Sequence, residues 1–323
     1  MESLFANSLR PFWVDGLITI TGPQKTLLLE TFEEQKGYVF YHPLQPQFFK
    51  AKLTDYELFL RAFAADINRF GCAAIESMNE VHYKPLFSKS HSWKCIKAYY
   101  AAYYSAHAIL RMNGISCTNF ERENLNSVEG IADIWGMQNG VSIEKGYYQC
   151  TIDSTAKEIL CNKIVATGSK GSHEQLWSVF LKHMEYIISE ISNSTVTPEL
   201  QRILNKLLDL RNTLIAYGSN GGNWLSKVRN EINYKHVNGL WYPYKDSERY
   251  FDKIENMLEN WEEIPDNLDL SANYAKPVLR FLDACIFIVS LYLNSAKDMS
   301  TLCPKGMSFQ KQGVLSLVNK INT

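Results

Sequence analysis

The most apolar run in the chain, FLDACIFIVSLYL from Phe281 to Leu293, places the strongest constraint on the fold. It is short for a bilayer span, which needs about 20 apolar residues, and it carries Asp283. We therefore expect a buried helix inside a soluble, cytoplasmic protein that makes no membrane contact. With 46% hydrophobic residues in 323 positions, the chain can build a substantial core in one large or two smaller domains.

Helical periodicity continues through most of the chain after Thr54. A long helix is predicted to begin at a Thr54 or Asp55 cap, and a second one to begin after a Ser92 cap and end at Gly114. Further helical patterns follow His173, and these are EQLWSVFLKHMEYIISEI, PELQRILNKLLDLRNTLIAYG with Pro198 after Thr197, SERYFDKIENMLENWEEI, and NYAKPVLRFLDACIFIVSLYL.

Two regions lack this periodicity. Residues 1–50 contain LITIT and GYVFY, which predict short strands in a small β-containing N-terminal segment. Residues 114–173 are predicted to form an irregular insertion in which GYYQCTID suggests one hairpin. We therefore expect a mainly α protein: a helical domain over 54–298 that carries this insertion, followed by a polar, loosely packed tail over 299–323.

Composition excludes several classes of protein. A net charge of −1 and a pI near 6.7 give no global basic field, which argues against a dedicated duplex-binding protein. Seven scattered cysteines have no zinc-ligand spacing and indicate reduced thiols in a cytosol. The histidines share no ligand spacing either, so we predict no metal site and no cofactor. MESLFANSLRPFW lacks the pattern of a secretory signal.

The stretch NWLSKVRNEINYKHVNGLWYPY, from Asn223 to Tyr244, holds the best candidate site. Asn223 is a suitable N-cap and Gly239 a suitable C′ residue, so an α-helix of about four turns is predicted. One face of that helix is apolar, and three polar side chains lie along its edge: Arg229, Asn233 and His236. Two turns separate Arg229 from His236, so the two can converge on one target. A second helix, from a second subunit, is expected to cover this edge.

The spacing of an arginine and a histidine is weak information by itself. With ten arginines and seven histidines, chance gives roughly 0.65 pairs in this chain in which four to six residues separate an arginine from a following histidine. The context carries more weight, because this pair lies on a predicted amphipathic helix, has asparagine directly after the arginine and borders the apolar face. A histidine near a helix C-terminus is also suitably placed for acid–base chemistry near neutral pH. The alternative is that Arg229 is an interface cation and His236 only a partner of the helix dipole.

Neighbouring side chains fit an RNA-binding surface. Basic residues outnumber acidic ones by two between Trp224 and Lys253, and we expect Lys227 and Lys235 to contact RNA. Tyr234 is expected to contact RNA as well, and three further aromatic residues can either stack on bases or pack as core: Trp241, Tyr242 and Tyr244.

Two other groups are expected to be structural. His107 lies on the apolar face of the helix that ends at Gly114, where a histidine is usually a hydrogen-bonded core group. The tyrosines of that helix are expected to be core or dimer seam. Arg211 and Asn212 repeat the Arg-Asn dipeptide without a following histidine, so we expect a salt-bridged helix face there.

RNEINYKH, followed by GLWYPY, resembles the R-x(4–6)-H motif of HEPN domains, where a polar residue such as asparagine commonly follows the arginine. KAYYAAYYSAHAILRMNGI also resembles an early HEPN helix. The resemblance implies a HEPN-like helical bundle and a metal-independent endoribonuclease with Arg229 and His236 as catalytic residues. It implies a homodimer with a composite site, and Asn230 and Asn233 as supporting residues that orient the histidine or the phosphate.

The same resemblance implies cleavage of RNA by its own 2′-hydroxyl, leaving 2′,3′-cyclic phosphate ends. Such proteins are typically toxins or effectors in prokaryotic defence or toxin–antitoxin systems, with an antitoxin or defence-system protein as a possible partner. Two alternatives stay open. One is a catalytically silent HEPN-like scaffold or regulatory subunit that binds a partner protein or a nucleotide ligand. The other is a helical protein that uses the same arginine to bind a nucleotide-like anion without turnover.

Overall fold

The helix Ser92–Met112 lies at the centre of the fold, and most of its length is buried. Alanines at positions 98, 101, 102, 106 and 108 let neighbouring helices approach this helix closely. The computed structural model describes residues 3–34, 36–81, 90–164, 171–195, 197–241, 251–270 and 276–321. Within these ranges the central helix packs against helices on several sides and against the edge of a β-sheet.

In the described residues, helices and strands are mixed as far as Lys163, and only helical elements follow from Ser172 onward. The helices are α1 Leu4–Leu9, α2 Leu28–Glu33, α3 Tyr56–Asn79, α4 Ser92–Met112, α5 Arg122–Ile134, α6 Ser172–Asn193, α7 Pro198–Leu214, α8 Trp224–Asn230, α9 Phe251–Glu259, α10 Pro277–Thr301 and α11 Val314–Ile321. The strands are β1 Tyr38–Val39, β2 Phe48–Leu53, β3 Ile115–Phe120, β4 Gly146–Asp153 and β5 Glu158–Lys163.

The strands form one antiparallel sheet in the order β1-β2-β5-β4-β3. The register pairs Phe48 with Asn162 and Tyr148 with Lys163, so the N-terminal strands and those of residues 115–163 share one sheet. The expectation of a mainly α helical bundle with an irregular insertion is therefore wrong, and the fold is a mixture of α and β. Residues 114–173 supply three of the five strands and helix α5.

The strand pattern of the presumed insertion is visible once the sheet is known. In β4, Tyr148, Cys150 and Ile152 are buried, while the residues between them are partly exposed. This is the period of two that a half-buried strand requires. The alternation was obscured because the buried positions hold Tyr and Cys, and because α5 separates β3 from β4.

The N-terminal expectations were partly correct. GYVFY contains β1, as predicted, but LITIT forms a 3₁₀ turn over Leu17–Thr19. Strand β2 was not predicted, because the prolines at 43 and 46 indicate a turn. They precede a strand that lies between β1 and β5.

Several predicted helix ends are confirmed. The Asp55 carboxylate accepts a hydrogen bond from the Leu58 backbone N–H at 2.9 Å and caps α3. The Thr197 hydroxyl accepts one from Leu200 N–H at 3.3 Å, with Pro198 at the first position of α7. Helix α4 ends before Gly114, whose φ of +72° favours glycine. Ser92 is the first residue of α4 rather than its cap.

Helix α10 contains the apolar run, and the prediction that this run is buried is confirmed. Among the described residues α10 is long and apolar enough to cross a membrane by length and composition, but 89% of its most apolar window is buried inside the protein. The expectation of a loosely packed C-terminal tail is wrong. Helix α11 contacts α3, and its Val314 and Val318 are buried in the core.

Candidate functional site

Helix α8 is shorter than predicted. It ends at Asn230 and continues as a π-helical turn over Glu231–Lys235, after which His236 adopts a left-handed conformation with φ 52° and ψ 28°. The prediction of a regular helix ending near Gly239 is therefore wrong. A π-turn followed by a left-handed non-glycine residue is uncommon and often marks a functional position. Asn223 occupies the N-cap position without a capping side-chain hydrogen bond.

Arg229 lies on the inner face of α8 and is only 7% exposed. Its guanidinium carbon is 5.2 Å from the centre of the Tyr99 ring and 5.6 Å from that of Tyr100, both on α4. Helix α4 of the same chain therefore covers Arg229. The expectation that a second subunit covers this edge stays a prediction for the part that holds His236, which is exposed.

The Arg229 guanidinium has no carboxylate partner among the residues that the structure describes, and its Nε has no hydrogen-bond partner there. Several other arginines do have such partners. Arg211 Nε donates to Glu185 at 3.0 Å, which confirms the predicted salt-bridged helix face, and Arg10 pairs with Asp298 at 2.5 Å. A buried cation without a counter-charge is costly, which makes the surroundings of Arg229 the candidate site.

Two side chains around Arg229 are held in defined protonation states. Trp177 Nε1–H donates to the Tyr99 hydroxyl at 3.1 Å, and that hydroxyl lies 2.9 Å from His173 Nδ1. The tautomer of His173 decides whether the hydroxyl or Nδ1 is the donor in this second contact. Burial, with the Arg229 charge as a second cause, lowers the pKa of His173 to about 4. Burial raises the pKa of Tyr99 to about 12.

His236 lies at the opposite, outer end of the same segment. Its exposed ring is 5.2 Å from the ring of Trp241, which in turn lies 5.7 Å from that of Trp93. Tyr234 is 72% exposed, Trp93 58% and Val237 43%. We call these five residues, Trp93, Tyr234, His236, Val237 and Trp241, the His236 patch. The structure thus places Arg229 inside the chain and His236 on an exposed, largely aromatic surface.

The remaining predicted site residues surround this segment without joining one cluster. Asn230 and Asn233 are partly buried, and Lys235 is exposed next to Tyr234. Lys227 faces the other way and lines a cavity of about 280 Å³ together with Tyr217 and Trp224. Tyr242 and Tyr244, expected to stack or pack after the helix, lie outside the described residues.

Sequence reasoning missed the residues that enclose Arg229. Tyr99 was expected to be core or dimer seam, and its burial confirms the first of these. His173 was set aside because it shares no spacing with another histidine. The only available signal was the aromatic pattern KAYYAAYYSAH, which does not show which ring faces the arginine.

The expectation that His107 is a hydrogen-bonded core group is confirmed. Its Nδ1 lies 3.1 Å from Arg111 Nη1, and its ring stacks on Phe70 at 4.4 Å. Across the described ranges, no group of three or more His, Cys, Asp or Glu side chains could hold a metal ion.

No family model matches the sequence, and comparisons with curated proteins and with solved structures find no match. The resemblance to HEPN domains therefore depends on the two motifs alone.

Proposed function

We propose that this protein is a metal-independent endoribonuclease in which Arg229 and His236 act on the RNA backbone. The proposal keeps the HEPN resemblance as its starting point, and it applies to a chain whose fold contains a five-stranded sheet. Function depends on the site rather than on the fold class, so the sheet does not count against it.

The observation that carries the proposal is the burial of Arg229 without a carboxylate partner among the described residues. Its guanidinium is buried against two tyrosine rings and lacks a carboxylate partner among the described residues. A structural arginine at such a depth normally has a counter-charge, as Arg111 has in Asp66 at 2.7 Å. An unneutralised guanidinium can stabilise the negative charge that accumulates on phosphate oxygens during RNA cleavage.

The reaction uses only groups of the protein and the RNA. His236 takes the proton of a ribose 2′-hydroxyl, and the 2′-oxygen forms a bond to the adjacent phosphorus. The bond between that phosphorus and the 5′-oxygen of the next nucleotide breaks, and the leaving oxygen takes a proton from a second imidazole. The products carry a 2′,3′-cyclic phosphate and a 5′-hydroxyl.

A second copy of the chain supplies the second imidazole in this proposal. The His236 patch is exposed, and it surrounds the histidine with aromatic and apolar side chains. Two such patches can pack together and bring two imidazoles to one cleft. Asn230 and Asn233 are assigned to orientation of the histidine or phosphate, and Lys227, Lys235 and Tyr234 to RNA contacts.

A second candidate function is a catalytically silent protein that binds a partner protein or a nucleotide ligand. The observation that favours it is the small exposed fraction of Arg229, because a phosphate reaches this guanidinium only if α4 and α8 move apart or the tyrosine rings rotate. Under this alternative Arg229 binds an anion and no RNA is cut.

Purified protein is incubated with single-stranded RNA in the presence of EDTA, and cleavage is compared among wild type, Arg229→Ala and His236→Ala. We expect each substitution to reduce the rate by at least 100-fold, in line with the loss of a general base or of an electrostatic contact to the transition state. The matched controls are Arg211→Ala, the arginine of the second Arg-Asn dipeptide, and His42→Ala, an exposed histidine in the loop after β1. Both controls should cleave like wild type.

Expression in cells separates the two candidate functions. Growth arrest with wild type but not with His236→Ala supports the nuclease. Equal growth with both, together with no cleavage by the purified wild type, supports the silent binding protein. Cleavage that survives both substitutions would refute the assignment of these residues.

A further inference from the structure

A second polar cavity lies between α2, α3, α4 and the β3–β4 edge of the sheet, and we call it the α3–α4 cavity. It has a volume of about 500 Å³, within the range of small-molecule sites. His107, Phe70 and Tyr103 form one part of its wall, and Tyr147 and Thr118 belong to the part contributed by the sheet.

A buried ion pair fixes the hydrogen-bonding state of His107. Arg111 Nε donates to Asp66 Oδ2 at 2.7 Å, and Arg111 Nη1 donates to His107 Nδ1 at 3.1 Å. Arginine has no acceptor, so Nδ1 is the acceptor and the proton of the imidazole is on Nε2. Burial lowers the pKa of His107, with the Arg111 charge as the next cause. The cavity wall therefore carries a neutral N–H donor that has no protein acceptor among the described residues.

The aromatic side chains around this donor pack against one another. The His107 ring is nearly parallel to Phe70, with an interplanar angle of 6°, and meets Tyr103 edge to face at 4.9 Å. A cavity lined by aromatic side chains favours a planar ligand over a bulky aliphatic one. Tyr147 of β4 is partly exposed and completes the lining on the sheet side.

The charges of the lining select against a highly charged anion. Two cations, Arg69 and Arg111, are outnumbered by three carboxylates, those of Glu30, Glu33 and Asp66. Both arginines pair with Asp66. Glu30 accepts a hydrogen bond from Leu27 N–H and Glu33 accepts one from Asn124, and both carboxylates retain acceptor capacity. A ligand that fits has an acceptor for His107 Nε2–H and an amino group for a glutamate.

We propose that the α3–α4 cavity binds a neutral nucleoside, a planar heteroaromatic molecule with donor and acceptor groups on its edge. The inference does not depend on the ribonuclease proposal, because it uses none of the residues assigned to RNA cleavage. The nucleoside can be free or can be the end of an RNA strand.

Isothermal titration of the full chain tests this with adenosine, guanosine, cytidine, uridine and ATP. We expect at least one nucleoside to bind with a sub-millimolar Kd and to bind more tightly than ATP does. His107→Leu should weaken that binding by about tenfold, because the ligand acceptor loses its donor. His107→Gln places an amide N–H close to the position of Nε2 and should stay within about threefold of wild type.

Arg61→Gln, a change on the exposed side of α3, is the control and should bind like wild type. If His107→Leu does not fold, as judged by circular dichroism, Tyr147→Ala replaces it and should also weaken binding. A pentanucleotide RNA that competes with the nucleoside assigns the natural ligand to an RNA end, and failure to compete assigns it to the free nucleoside. No nucleoside binding at millimolar concentration, tighter binding of ATP, or unchanged binding by these variants would overturn the proposal.

Discussion

Replacement of Arg229 by methionine separates stability from function at the proposed site. Methionine has a similar length but no charge, so it can fill the space between Tyr99 and Tyr100. The substitution removes two cation–π contacts, worth about 0.5 to 2 kcal/mol each. In the opposite direction, it removes a buried Nε that has no hydrogen-bond partner among the described residues, and the burial of such a group costs about 1 to 3 kcal/mol. It also removes the cost of desolvating a buried cation.

These opposing contributions are of similar size, so we expect the free energy of unfolding to change by less than about 1 kcal/mol or to increase. Urea denaturation followed by tryptophan fluorescence measures it. Arg211→Met is the matched control, because it removes a partly exposed ion pair with Glu185 and should cost less than about 1 kcal/mol. Cleavage of RNA should be lost in Arg229→Met and kept in Arg211→Met.

A hidden counter-charge would give a different result, since the removal of one member of a buried ion pair costs about 3 to 5 kcal/mol. A decrease of that size in the free energy of unfolding of Arg229→Met would refute the proposal that this guanidinium has no counter-charge in the folded protein. NMR titration of His173 gives a second readout. Its pKa should rise from about 4 when the Arg229 charge is removed, but it should stay below the ordinary value because burial is the larger cause.

Three further predictions concern stability. Burial lowers the pKa of His183 to about 4, so its neutral form stabilises the fold above about pH 6.5 and this contribution is lost as the pH falls toward 4. Between pH 7 and pH 5 wild type should lose about 2 kcal/mol more than His183→Gln in urea unfolding, and equal slopes would refute this. Asp66→Asn should cost about 3 to 5 kcal/mol because Arg111 loses its buried partner, and a cost below about 1 kcal/mol would contradict the pairing. In Gly71→Ala the new methyl group would lie 2.7 Å from Tyr292 Cζ, so the melting temperature should fall by several degrees despite the better helix propensity of alanine.

The sequence was most informative where local chemistry decides the structure. Asp55 and Thr197 are caps whose side chains bond to the backbone three residues later, and the pattern of polar residue and helix start identifies them directly. The buried helix around Phe281–Leu293 follows from composition. Such features depend on neighbours in the sequence and need no knowledge of the rest of the fold.

The sheet was missed because its strands are short and their partners are distant in the sequence. Phe49 pairs with Cys161 across 112 positions, and no local pattern in FFKAKL specifies that partner. The predicted end of α8 was wrong for another reason. Gly239 is the residue that local rules favour for a left-handed end, but the π-turn brings His236 to that conformation first, and Trp241 Nε1–H bonds to the Ile232 carbonyl at 2.7 Å behind it.

The candidate site was predictable as a pair of residues but not as an arrangement. Spacing identified Arg229 and His236, and the structure gives them opposite environments, one buried under α4 and the other on an exposed patch. Helical periodicity assigns a residue to a face, but the identity of the element that covers that face is a tertiary property.

The most direct test of the account uses a DNA oligonucleotide that contains a single ribose, with EDTA in the buffer. The proposed chemistry predicts one cut, on the 3′ side of that ribose, with a 2′,3′-cyclic phosphate detected by mass spectrometry, and no cut by His236→Ala. Cleavage at deoxyribose positions, or the same product from His236→Ala, would contradict the account.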